Sequence, residues 1–239
     1  MIPPPFRVAN FWAAWAPAQA RWSSVFTLPT PPLHKAARQL VAYGLGIAVL
    51  VLALRPLPAG DRIALAVLSI FWLWNGIAYH LLHFLQINFA ALGFAALFAL
   101  QGVLFAGYAV RRRRIFRFRA DAFGWSGLLL CLFALAVYPL LGWLAGHGWP
   151  RTGAFGVAPA PTTIFTFGML LMMEGGAPLY LAAIPLLWSL AGGGAAVILL
   201  ATREDLSLLL AGVVGFGLLV WKRRQQSTTA AQGPLTPPS

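Results

Sequence analysis

FAALGFAALFALQGVLFAGYAV, residues 89–110, runs directly into RRRRIFRFRADA, residues 111–122, and then into FGWSGLLLCLFALAVYPLLGWLAG, residues 123–146. Two uncharged apolar stretches thus flank a loop that holds six arginines. A helix needs about 20 apolar residues to cross the hydrocarbon core of a bilayer, so each stretch can span, and the arginines hold the loop between them at a membrane surface. Further apolar runs cover residues 40–54, 63–85, 179–200 and 206–221, with a shorter one at 162–173. The fold class is therefore all-α: a polytopic transmembrane helix bundle of about seven spans, with a short broken fifth span. The runs at 40–54 and 206–221 are marginal in length and are expected to extend into their flanks, with Arg38 and Arg203 snorkelling outward.

Composition agrees. The residues AVILMFWYC make up 60% of the 239-residue chain and charged residues only 9%, against roughly a quarter charged in soluble globular proteins. A net charge of +12 would suggest nucleic acid as partner in a soluble protein. Here the charge sits at the ends of apolar runs, which points to the lipid bilayer instead, with anionic headgroups at the loop from Arg111 to Arg119, and to no nucleic acid. Cys131 is the only cysteine and forms no internal disulfide.

Cytoplasmic loops are enriched in Lys and Arg, so the polybasic loop sets the orientation. With it inside, alternation also puts inside Arg55, Arg62, Lys222, Arg223 and Arg224, which makes eleven of the seventeen basic residues. Arg7, Arg21, Lys35, Arg38, Arg151 and Arg203 fall outside. The C-terminus is then cytoplasmic, and the N-terminus is the weakest element, since a six-span reading would bring Lys35 and Arg38 inside. Three segments result. Residues 1–35 are a Trp-rich interfacial segment without the pattern of a signal peptide, residues 8–15 reading as a short interfacial helix or a frayed tail. Residues 36–224 are the bundle, and 225–239, QQSTTAAQGPLTPPS, a disordered cytoplasmic tail.

Few residues can carry chemistry. His80 and His83 are spaced i, i+3 on one face of the second span. Under this topology they lie near its outer end, with His147, Glu204 and Asp205, Asn88, Thr162 and Thr163. His80, His83, Asn88, Thr162 and Thr163 form a candidate site for a small solute. His80, His83 and His147 form a weak candidate metal site; no cofactor is identified, and a divalent metal is the one such ligands would suit. Two histidines without a third ligand at fixed spacing are little signal, and ordinary polar residues at headgroup depth remain the competing explanation. Haem ligation ranks lower, for want of paired histidines at matched depth.

Residues 155–161, FGVAPAP, are expected to be non-helical because of Pro159 and Pro161. Thr162 or Thr163 would then cap a half-helix pointing its positive end into a cavity suited to an anionic or strongly polar solute, or else the loop is a structural plug. Pro139 and Pro185 leave the carbonyls of Leu135 and Leu181 without their helical donors, so neighbours must satisfy them. Gly192, Gly193 and Gly194 provide a close-packing surface or a point where the sixth helix loosens. Tyr138 and Trp188 read as packing or interfacial residues, and Glu174 as a solvated loop carboxylate.

WLWNGIAYHLLHFLQINFAALGFAALFALQG, residues 72–102, and GVAPAPTTIFTFGMLL, residues 156–171, resemble a family of bacterial multi-pass membrane proteins, domain of unknown function 6064, whose members are sometimes named transporter permeases. The resemblance implies a bacterial inner (plasma) membrane protein and supplies no activity. In that family the second stretch often reads APCPTT; Ala160 stands at the middle position here, so no thiol role carries over.

The chain has no P-loop, HExxH, nucleophile elbow or dinucleotide fingerprint, so an enzymatic reading rests on scattered residues. A small-solute permease or transport-linked component is the expected function. A metal-binding membrane enzyme using His80, His83 and His147, and an accessory subunit packing against other membrane proteins, are the alternatives.

Overall fold

Inside a bilayer every backbone N–H and C=O must find its partner within the protein, which leaves the helix as the way for these apolar runs to fold. The computed structural model describes residues 32–55, 57, 59–82, 84–86, 89–111, 115–144, 155–195 and 205–231. They form seven helical stretches: α1 Pro32–Leu54, α2 Gly60–Trp74 running on as a π-helical segment over Asn75–Leu81, α3 Ala91–Arg111, α4 Ala122–Leu144, α5 Pro159–Leu171, α6 Tyr180–Gly193 and α7 Leu206–Ala231.

Five of these are long and apolar enough to cross a membrane: α1 from Ala36, α2, α3, α4 and α7. The expectation of seven spans is corrected on this point. The α5 helix has 13 residues, and at 1.5 Å per residue it reaches about 20 Å against a hydrocarbon core of about 30 Å. The α6 helix is similarly short as described. The α7 helix continues past Arg224, where the sequence places the end of the bundle, to Ala231. Residues 1–31, including the interfacial segment at 8–15, lie outside the described residues, as do 232–239.

The short α5 is the centre of the bundle. Every residue from Pro159 to Leu171 is buried, with α4, α7, α6 and α2 packed around it. The closest of these approaches is to α4. A methyl group placed on Gly168 would lie 2.6 Å from Cys131 Sγ and from the Gly127 carbonyl oxygen, and one on Gly127 would lie 2.7 Å from the Gly168 carbonyl oxygen. Backbone thus meets backbone, the geometry that small residues permit between membrane helices.

Pro159 and Pro161 do not exclude helix, as the sequence suggested. The helix starts at Pro159, so both prolines fall in the first turn, where the missing N–H groups would have had no helical acceptor anyway. Ala158 is the N-cap, without a side-chain bond. Thr162 and Thr163 lie one turn further in and donate back to the carbonyls of Ala158 and Pro159, both at 2.8 Å. The expected threonine cap is corrected accordingly; the Thr162 hydroxyl does accept from Gly156 N at 3.2 Å.

The basic sequences gather at one end of the bundle. Asp61, beside Arg62 at the start of α2, accepts from the backbone N–H groups of Ile115 and Phe116 at 2.8 and 3.1 Å. Phe116 pairs with Met173 in an antiparallel bridge, Arg117 N donates to Met172 O, and Glu174 N donates to Ile115 O. From α7, Lys222 Nζ donates to the carbonyls of Leu171 and Met173 at 2.7 and 2.9 Å. A lysine at this position satisfies carbonyls that the end of α5 leaves open, and its charge complements the negative end of the helix dipole. Glu174 is exposed on the turn after α5, as expected of a solvated loop carboxylate, and lies 3.7 Å from the exposed Arg117.

Both interior prolines are accommodated as membrane helices require. The Leu181 carbonyl, deprived of its donor by Pro185, accepts from Gln101 Nε2 of α3 at 2.9 Å. Before Pro139 the α4 helix widens into a π turn at Phe133–Val137, and a second one follows Trp188, at Ser189–Gly193. Such turns are frequently found at functional sites. In the latter, Gly193 faces Leu209 of α7, whose nearest atoms a methyl group would meet at 3.0–3.3 Å. Close packing and loosening coincide there.

Candidate functional site

His80 is buried completely inside the protein, next to the last residue of the helix that starts at Gly60. It belongs to the π-helical segment of α2, and its ring lies 4.5 Å from that of Phe98 and 4.9 Å from that of Trp188. Phe94, Phe84 and Tyr79 complete the aromatic surround. His83, Asn88 and His147 lie outside the described residues, as does Glu204. Among the described residues no three His, Cys, Asp or Glu side chains come together as a metal site.

The structure adds residues that sequence reasoning passed over. Asn75 opens the π segment and donates to Phe71 O at 2.8 Å and to Gly156 O at 3.3 Å, tying α2 to the turn that enters α5. That turn needs Gly156, whose φ is 73°. Gln101 lies one turn beyond Phe98 on α3 and holds α6. Trp72 Nε1 donates to Thr166 Oγ1 at 3.0 Å, and Thr166 donates to Thr162 O at 2.8 Å. Trp72 also packs on Phe98, 4.5 Å between ring centres. His80 and the threonines of α5 are therefore linked through two aromatic side chains.

The result is a buried polar stretch along α2, α3 and α6, in which Gln101, bonded to Leu181, lies seven residues, or about 10 Å, along α6 from Trp188. It contains five polar atoms with no hydrogen-bond partner among the described residues: both ring nitrogens of His80, Asn75 Oδ1, Gln101 Oε1 and Trp188 Nε1. Each buried unpaired group costs about 1–3 kcal/mol, so their number between these helices asks for a reason. A neutral imidazole offers one donor and one acceptor, the two amide oxygens accept, and the indole donates. The set is suited to a small uncharged molecule that both gives and receives hydrogen bonds. By contrast, the hydroxyls of Thr162, Thr163 and Thr166 already donate to carbonyls of their own helix. One signal in the sequence could have identified the stretch: Asn75 and Gln101 are lone amides inside long apolar runs, where polar residues are expensive.

Two further groups of polar contacts complete the picture, the first beside His80, since Asp205 lies close enough to act electrostatically on Tyr79. Near the end of α4, Tyr138 donates to Asp205 Oδ1 at 2.7 Å, giving the tyrosine a partner at the start of α7. At the basic end, Arg117, Arg119, Asp121, Glu174 and Lys222 line an open cleft of about 480 Å³.

Neither a curated protein nor a solved structure matches the chain. A family model does match, over residues 35–230, and its description is a family of unknown function. Helices α2 to α6, and with them the whole buried polar stretch, lie inside that match, so this multi-helix membrane chain belongs to the DUF6064 family.

Proposed function

We propose that the chain is a bacterial inner-membrane permease or transport-linked component, and that its solute site is the buried stretch of Asn75, His80, Gln101 and Trp188. The observation that carries this reading is the number of unpaired polar atoms buried between helices of which two change to π geometry, beside a third that starts inside the bundle. Discontinuous helices near the bilayer midplane are how many transporters build such sites. Asn75 is 15 residues beyond Gly60, about 22 Å along α2 at 1.5 Å per residue. The expected solute is small, uncharged and hydrogen-bonding, because the unpaired groups among the described residues, an imidazole, two amide oxygens and an indole, carry no fixed charge to receive an anion.

The basic end faces the cytoplasm on this reading, with the C-terminus. Reporter fusions within residues 111–119 and after residue 231 are expected to give cytoplasmic signals; a periplasmic signal from the 111–119 loop overturns the orientation.

The site itself is tested by water access. Single cysteines at His80 and Gln101, in a Cys131→Ser background, are expected to react with a small membrane-impermeant methanethiosulfonate reagent, because a solute pathway must admit water-sized polar molecules. Silence at both positions in folded protein means a sealed stretch and ends the permease reading. In parallel, His80→Phe keeps an aromatic ring and removes both unpaired nitrogens. It is expected to leave the melting temperature in detergent unchanged or higher, the behaviour of a group retained for function at the expense of stability. A fall of several degrees would mean that the nitrogens are paired inside the protein.

A further inference from the structure

The cleft at the basic end is built from three segments distant in sequence. The strap that follows α3 supplies Arg117 and Arg119, the turn after α5 supplies Glu174 and Gly175, and α7 supplies Lys222 and Gln226. Three cations, Arg117, Arg119 and Lys222, face two carboxylates, Asp121 and Glu174, which leaves one net positive charge. The carboxylates already have partners: Glu174 pairs with Arg117, and Asp121 accepts from Gly124 N at 2.8 Å as the N-cap of α4. Lys222 spends its bonds on neutral carbonyls, which do not cancel its charge. Arg119 is exposed and has no ion-pair partner among the described residues. Two tryptophans fix the depth. Trp125 and Trp221 are half exposed; Trp221 packs on Phe123, which lines the cleft, and Trp125 on Phe118 of the strap. Tryptophans of this kind mark the headgroup level of a bilayer.

We propose that this cleft binds the phosphodiester of an anionic phospholipid, with Arg119 and Lys222 on the phosphate oxygens. Charge selects the diester: one negative charge matches the single positive charge left in the cleft, whereas inorganic phosphate carries about one and a half near neutral pH and the diester stays singly charged. Depth selects the lipid, because a headgroup reaches this level with its acyl chains beside the exposed faces of α4 and α7. Guanidinium is the group best shaped for phosphate oxygens. The site is independent of the buried stretch and stands or falls separately from the permease reading.

The test is native mass spectrometry of the full chain, delipidated in an uncharged detergent and titrated with phosphatidylglycerol or phosphatidylcholine. Phosphatidylglycerol is expected to bind preferentially, and Arg119→Gln to weaken it about tenfold, the loss of one charge-assisted contact. Arg119 is exposed, so its replacement leaves the fold intact; Arg38→Gln, far from the cleft, is expected to change nothing. Soluble glycerophosphoglycerol at equal concentration should compete poorly. If it competes equally the occupant is a soluble phosphodiester, and if inorganic phosphate displaces both the diester selection is wrong. Equal binding of the two lipids, or no effect of Arg119→Gln, overturns the site.

Discussion

Gly168→Leu is expected to prevent α4 and α5 from docking and so to remove the folded bundle. Leucine at this position would have to enter a space where even a single methyl group lies 2.6 Å from the Gly127 carbonyl oxygen and from Cys131 Sγ. Overpacking a core costs about 1–3 kcal/mol when side chains can shift. Here the obstacle includes backbone, which cannot rotate away, and α5 is enclosed on every side, so the cost is expected at or above the top of that range. Membrane helices associate largely through such close packing. The measurement is the monodisperse fraction in detergent with its melting curve, beside Gly168→Ala as a milder step. Gly107→Leu is the control: a side chain there meets nothing within 4 Å, and it should fold normally. A Gly168→Leu protein as stable as the control would show that α4 and α5 do not cross at Gly127.

Lys222→Met is expected to destabilise by about 2–3 kcal/mol, through loss of the two bonds that close the end of α5. Methionine keeps an unbranched chain only one atom shorter than lysine, so little volume changes. The two carbonyls suffer unequally. Met173 O still accepts from Gly176 N at 3.3 Å, whereas Leu171 O is left without another partner among the described residues and is buried with its residue. Removal of a cation from the negative end of a helix adds a smaller term. Thermal unfolding in detergent reads the total. Hydrogen exchange reads its location: the amides of Arg117 and Glu174, which bind Met172 O and Ile115 O, should exchange faster, while amides in α3 should not. A uniform acceleration would mean that Lys222 supports the whole bundle and does not cap α5.

These two substitutions explain why the five-span and seven-helix descriptions differ. Residues 162–173 read as too short to cross, and the helix at Pro159–Leu171 has that property because it is not a lipid-facing span at all. Its surroundings are other helices, and its far end is closed by a lysine that sequence reasoning counted only as a charge for orientation. Likewise the carbonyl freed by Pro185 was legible as a debt in the sequence, but its donor, Gln101, is 80 residues away and no local pattern announces the pairing. His80 is a similar case. The residue was visible as a candidate near the end of the second span, yet the aromatic rings of α3 and α6 that enclose it come from helices that no local pattern brings to it.

The sequence by itself determined that the chain is an all-helical membrane protein, where most of its helices run, and which charges share an end. Those properties follow from apolar length, from the bilayer's demand for internal backbone pairing and from the position of charges next to apolar runs, all of which are local. Only the tertiary structure decided that a half-length helix forms the centre, that Gly127 and Gly168 touch, that Lys222 closes α5, and that Asn75, His80, Gln101 and Trp188 are all buried between helices. Those depend on contacts between residues far apart in the chain, and inside a membrane, where lipid is as apolar as the side chains, hydropathy does not distinguish a surface that faces lipid from one that faces another helix.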